Sequence, residues 1–245
     1  MHEALVEHPQ HEINRNQREQ DEPRLAGERS LECLRVALTP LDRQFGETVV
    51  GNSRLLLGRV SEGVETILRH RRQAQLNGWR LSAMTGEVAL SLSMLMRGEL
   101  GKGVRSLESV IERAENEYGY RSYANWGRIY LAEFYIALLR SRRRPSPRVL
   151  LKNLLFLVRA KRVAVGKAEA LLRKAMADPW FSERGVTRAR IEFDFGEICL
   201  ATGRADVAQT HFAAARAIAV AQQAPNWLAK IDAAAQDVAK LAARH

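Results

Sequence analysis

Cysteine is almost missing from this 245-residue chain. Cys33 and Cys199 are its two, and neither belongs to a CxxC pair or stands beside a histidine, which excludes a disulfide-stapled fold and a zinc site of ordinary ligand spacing. So few thiols fit a reducing compartment, and a cytoplasmic location is expected. No stretch approaches the roughly 18 uninterrupted apolar residues of a membrane span, and residues 1–30 contain no apolar run of the kind a secretory signal carries. Strand signals are missing as well, because Val, Ile and Thr do not alternate with polar residues over any useful length. What remains is 46% hydrophobic residues, enough to bury a sizeable core in a chain of this length.

Acids are nearly absent from one long stretch. Arg140 to Lys174 holds twelve basic residues against Glu169 alone, while the other 26 basic and 27 acidic residues almost cancel. The formal charge of +10 is therefore a local feature and not the signature of a generally cationic nucleic-acid binder. The stretch joins a cationic loop, Arg142-Arg143-Arg144-Pro145-Ser146-Pro147, to an apolar run from Val149 to Val158 broken only by Lys152 and Asn153. That run is too short to cross a bilayer. It reads as a buried helix with solvated Arg and Lys at its flanks, with a surface-seeking helix as the alternative. Arg142, Arg143, Arg144 and Arg148 are the candidate contacts to an acidic protein partner; anionic lipid or nucleic acid is the rival partner.

Residues 1–30 are rich in Gln, Glu, Asn, Arg and His and hold Pro9 and Pro23, so they bury too little to offset ordering entropy and read as a disordered tail. From Leu31 onward the apolar residues fall at helical spacing, predicting an all-α domain over 31–245 with a basic insertion at about 140–174 and a capping helix at about 226–243. Gly58, Gly78, Gly98, Gly119 and Gly203 stand where helix C-termini need a left-handed residue. Gly58 and Gly98 are 40 residues apart, and Gly58, Gly63, Val64, Ile67 and Gly78 match Gly98, Gly103, Val104, Leu107 and, after one inserted residue, Gly119. Small residues at Gly63 and Gly103 let paired helices approach, and Ile67 and Leu107 fill the gap one turn later. The chain thus contains an internal helix-turn-helix repeat.

In the same register Phe195-Gly196 precede the turn at Gly203, and Ala208 and Phe212 follow it, which resembles the tetratricopeptide pattern L-G…A-x3-F. Leu131, Ala132 and Tyr135, and also Val50 and Gly51, take corresponding positions in other repeats. The Trp position of the pattern holds Glu47, Glu87, Arg128 and Glu192, so the repeats are degenerate. From about Trp126 to about Pro225 the text NWGRIYLAEFYIALL, an insertion, and RARIEFDFGEICLATGRADVAQTHFAAARA is similar to the C-terminal repeat tail of bacterial signalling proteins that carry a class III adenylate or guanylate cyclase domain and an AAA-type ATPase. The resemblance implies antiparallel helix pairs stacked as a right-handed superhelix, a non-catalytic role in protein interaction or regulation, no cofactor or metal, and a cyclase or ATPase domain as partner. It also implies that Asn52, Trp126, Glu133, Arg190 and Glu197, on first helices of their pairs, line a concave groove.

Other motifs have plainer readings. Gly98, Gly101, Lys102 and Gly103 lack the spacing and the hydroxyl of a phosphate loop, so they read as a helix-helix turn. His2, His8 and His11 do not have zinc-helix spacing, and His70 and His211 have no nucleophile with them in sequence, so none marks catalysis. Trp79, Trp126, Trp180 and Trp227, with the tyrosines from Tyr118 to Tyr135, fit helix packing better than base stacking. An enzyme with an unrecognised site is the remaining alternative.

Overall fold

The computed structural model describes residues 40–140, 146–183 and 185–242. The expectations for residues 1–30, for the helical pattern from Leu31 to Leu38 and for Arg142, Arg143 and Arg144 lie outside the described residues. Those described form only helices and turns: α1 (Pro40–Leu56), α2 (Val60–Leu76), α3 (Arg80–Met96), α4 (Leu100–Asn116), α5 (Arg121–Arg140), α6 (Pro147–Met176), the short α7 (Pro179–Ser182), α8 (Gly185–Ala201), α9 (Ala205–Ala221) and α10 (Pro225–Ala242). The chain is an all-α helical repeat in which consecutive helices pack as pairs.

The punctuation follows backbone chemistry. Gly58, Gly78, Gly98, Gly119 and Gly203 all have φ between 67° and 77°, a region a Cβ disfavours. Beyond three of these turns the chain closes a Schellman-type bond back into the helix, from Arg59 N to Arg54 O (2.9 Å), Trp79 N to Ala74 O (2.8 Å) and Arg204 N to Cys199 O (2.9 Å). The turn after α9 uses Gln223, at φ 50°, and closes the same bond from Ala224 N to Ala219 O at 2.9 Å.

Contacts divide the chain at Arg97/Gly98 into two compact units. In the first, α1, α2 and α3 pack in sequence around Leu55, Ile67 and Ala89. A Cβ on Gly51 would lie 2.7 Å from Ile67 Cγ1, and one on Gly63 would lie 2.9 Å from Gly51 O, so α1 and α2 touch through these two glycines. His70 is fully buried, with its Nε2 2.7 Å from the Thr48 hydroxyl and 3.2 Å from that of Ser82. It joins the helices of this unit from within and faces no solvent.

In the second unit α5 packs on α4, α6 and α8, and α8 packs on α9. The glycine contact recurs: a Cβ on Gly196 would sit 2.5 Å from Phe212 Cε1, and one on Gly127 would sit 2.6 Å from Ile111 Cγ1. Ala208 and Ala215 are completely buried beside Phe212, as the repeat register requires. The degenerate Trp position has a physical replacement. Glu87 pairs with Arg71 at 3.1 Å, Arg128 with Glu115, and Glu192 lies 2.8 Å from His211 Nδ1, so a polar contact to the preceding or following helix stands where an indole would fill space.

One expectation fails. The apolar run in α6 was expected to be buried, yet Leu151 is 80% exposed, Leu155 76%, Leu154 54% and Val158 47%. The buried residue of that segment is Asn153, whose amide donates to Gly98 O and Val149 O, both at 2.8 Å. The reason lies further along the helix. Ala160, Ala164, Ala168, Leu172 and Ala175 form the face that packs inward, and small side chains allow the closest helix approach. That face sets the rotation of the whole helix and turns the leucines outward.

Candidate functional site

The site is built from two helices with the same spacing. Trp126, Tyr130 and Glu133 stand at i, i+4 and i+7 on α5, and Arg190, Asp194 and Glu197 repeat this on α8, so each trio shares one helix face. The faces meet because α5 and α8 pack together. Arg190 Nε and one Nη donate to the two Glu133 oxygens, both at 2.7 Å, a planar match that lysine could not make. The guanidinium carbon also lies 5.0 Å from the Tyr130 ring centroid and 5.6 Å from that of Trp126, within cation–π range. Trp126 and Tyr130 stack at 6.2 Å, and Phe181 and Trp126 form a T-shaped pair at 5.5 Å. Trp126, Glu133 and Arg190 remain half-buried.

Electrostatics sharpen along α8. Burial works to lower the Arg190 pKa, but the hydrogen bonds and charge of Glu133 outweigh it and hold the guanidinium above its ordinary value. Asp194 is only 3% exposed, and its Oδ2 has no hydrogen-bond partner. Burial, then the charge of Glu133, pushes its carboxyl well above the usual range, with Arg190 and Lys230 opposing. Next along the helix, buried Glu197 pairs with Arg140, which also reaches Asp237 of α10 at 3.3 Å. Lys230 of α10 lies 4.6 Å from the Phe193 centroid and 4.7 Å from that of Trp227.

Of the residues expected in a groove, Arg190 contacts both Trp126 and Glu133, and Glu197 follows on the same face of α8 but is tied up by Arg140. Asn52 is half-buried on α1, in the other unit. Tyr130, Asp194, Arg140, Lys230 and Asp237 were not anticipated; the shared i, i+4, i+7 spacing was the available signal for the first two. Arg148 is exposed in the first turn of α6. Among the described residues no group of three or more His, Cys, Asp or Glu is placed to hold a metal ion, and no helix is long and apolar enough to cross a membrane. His211 stacks on Phe195 at 5.4 Å while bonded to Glu192, and Cys199 is buried, which raises its thiol pKa. Both are packing positions.

No protein-family model matches the chain, and no curated protein matches it.

Proposed function

We propose that the chain is a non-catalytic protein-interaction module that works in the cytoplasm through the α5/α8 face, with Trp126, Tyr130 and Arg190 as its contact residues. The observation that carries this reading is the half-buried stack of Arg190 on Trp126 and Tyr130, fixed from one edge by Glu133. Aromatic and arginine side chains held rigid before a partner arrives lose little entropy on binding, which is why they dominate binding hot spots. The Glu133 carboxylate occupies one edge of the guanidinium, and a partner would meet the small part of the cation and of the rings that stays exposed. The partner suggested by the resemblance of this region to cyclase-associated repeat tails is a cyclase or ATPase domain of a bacterial signalling system, with the chain regulating it.

The test is cross-linking and affinity capture from the source cell with the full chain and with Trp126→Ala and Arg190→Ala. Residues that anchor an interface cost about 2 kcal/mol or more when truncated, close to thirtyfold in affinity. A cyclase or ATPase subunit captured by the wild type and lost from both variants supports the proposal. Equal recovery by all three proteins, with their helical spectra intact, refutes it.

A further inference from the structure

The outward face of α6 between Leu150 and Val163 takes no part in the site above. At about 100° per residue, Leu151, Leu154, Leu155 and Val158 fall in one sector of roughly 100°, opposite the buried line of Asn153, Ala160, Ala164 and Ala168. These four side chains are between 47% and 80% exposed, and Leu150, at 38%, borders them. Arg148, Lys152 and Arg159 adjoin this sector on one side, Lys161 lies at its other margin, and Arg162 continues it toward the C-terminus; all five are exposed. None of these five forms an ion pair with a described residue. Cations further along the helix behave differently: Lys167 meets Glu108 at 3.5 Å and Lys174 meets Glu115 at 2.7 Å. No acid occurs from Arg140 to Ala168, so along α6 itself the leucine ridge is flanked by cations alone.

We infer that this face is a peripheral docking surface for an anionic phospholipid bilayer, with the leucines entering the acyl boundary and the lysines and arginines meeting headgroup phosphates. A second copy of the chain is disfavoured, because apposing two such ridges also apposes their unneutralised cations. An acidic protein helix would need a groove to cover its own apolar stripe, whereas side chains as exposed as Leu151 and Leu155 form a ridge. A fluid interface accepts a ridge, and Lys and Arg stems can lie along it while their charges reach the headgroups. The helix lies on the bilayer and does not span it, in accord with the absence of any described helix apolar enough to cross. This inference does not rest on the α5/α8 face and would stand or fall without it.

The experiment is flotation of the full chain with vesicles of phosphatidylcholine alone or of phosphatidylcholine with phosphatidylserine. Binding is expected only to the phosphatidylserine vesicles and should weaken as salt rises; replacing one surface cation should cost about fivefold. Leu151→Ser with Leu155→Ser should reduce partitioning by about tenfold or more, and Lys152→Glu with Arg159→Glu should do likewise. All four positions are exposed, so both variants should keep the wild-type melting temperature. Three outcomes would each overturn the inference: no flotation at low salt, binding to phosphatidylserine vesicles that is indifferent to the serine pair, or a dimer that the serine pair dissociates while vesicles capture nothing. Binding of an acidic amphipathic peptide to this face in place of vesicles would also overturn it.

Discussion

The two halves of α6 use their side chains in opposite ways. From Ala160 to Met176 the inward line is mainly alanine, fully or almost fully buried, while from Pro147 to Arg159 the large apolar residues stand mostly in solvent and an asparagine is buried in their place. The difference teaches that helix rotation was set by how closely the backbones can approach and not by which segment carries more hydrocarbon. Alanine loses little side-chain entropy and admits a neighbouring helix at short range. Asn153 satisfies a carbonyl at the turn before α4, Gly98 O, which an aliphatic residue would leave unbonded at the cost of a buried acceptor. The leucines are left over, and their exposure is what a surface with an external partner looks like.

The sharpest way to break this comparison is to exchange an inward cation for an outward one. Arg140 and Arg148 belong to the same basic stretch, but Arg140 is paired to Glu197 with both side chains nearly buried, while Arg148 is exposed. Arg140→Ala should cost about 3–5 kcal/mol, because it strands a buried carboxylate, and Arg148→Ala should cost less than about 0.5 kcal/mol; urea denaturation of the two proteins measures both. Next in size is overpacking. Ala164→Leu and Gly196→Leu force a large side chain into a fully buried position on α6 and into the Phe212 contact of α8, respectively, and each should lose about 1–3 kcal/mol in the same measurement. The Leu151→Ser, Leu155→Ser pair should stay within about 0.5 kcal/mol per site, despite removing more hydrocarbon than either overpacking variant adds.

A smaller effect, opposite in sign, is expected at Asp194. Its carboxyl is held above the ordinary range by burial and by Glu133, so the folded chain keeps this proton more tightly than the unfolded one. Stability from this group is present below about pH 4, where both states are protonated, and falls as pH rises toward the raised folded value. Asp194→Asn removes that loss. Its melting temperature should exceed the wild type's at pH 7, and the gain should vanish on acidification below about pH 4; a gain independent of pH would assign the effect to packing.

Much of the fold was legible because its punctuation is chemical. A left-handed helix end calls for glycine, and the five glycines so placed all have positive φ. The turn at Gln223 was not legible, since it makes the same bend with a residue that carries a Cβ. The orientation of α6 was misread because hydrophobicity scales rank leucine above alanine, although the alanine line was present at helical spacing. At the candidate site, the helical spacing put Trp126 with Glu133 on one helix and Arg190 with Glu197 on another, as α5 and α8 carry them. The Arg190–Glu133 pairing, across 57 residues, depends on how α5 meets α8. Asp194 escaped notice because sequence rules do not anticipate a buried carboxyl with one oxygen left without a hydrogen bond.

The two halves of α6 differ in which way their side chains face, and thiol labelling reads that directly. In a Cys33→Ser background, where Cys199 is buried, Leu155→Cys and Ala164→Cys can be compared for their rate of reaction with a thiol-directed, environment-sensitive dye. The expected result is rapid labelling at 155, almost none at 164 in the native protein, and a blue shift of the dye at 155 when phosphatidylserine vesicles are added. Slow labelling at 155 together with rapid labelling at 164 would contradict the account.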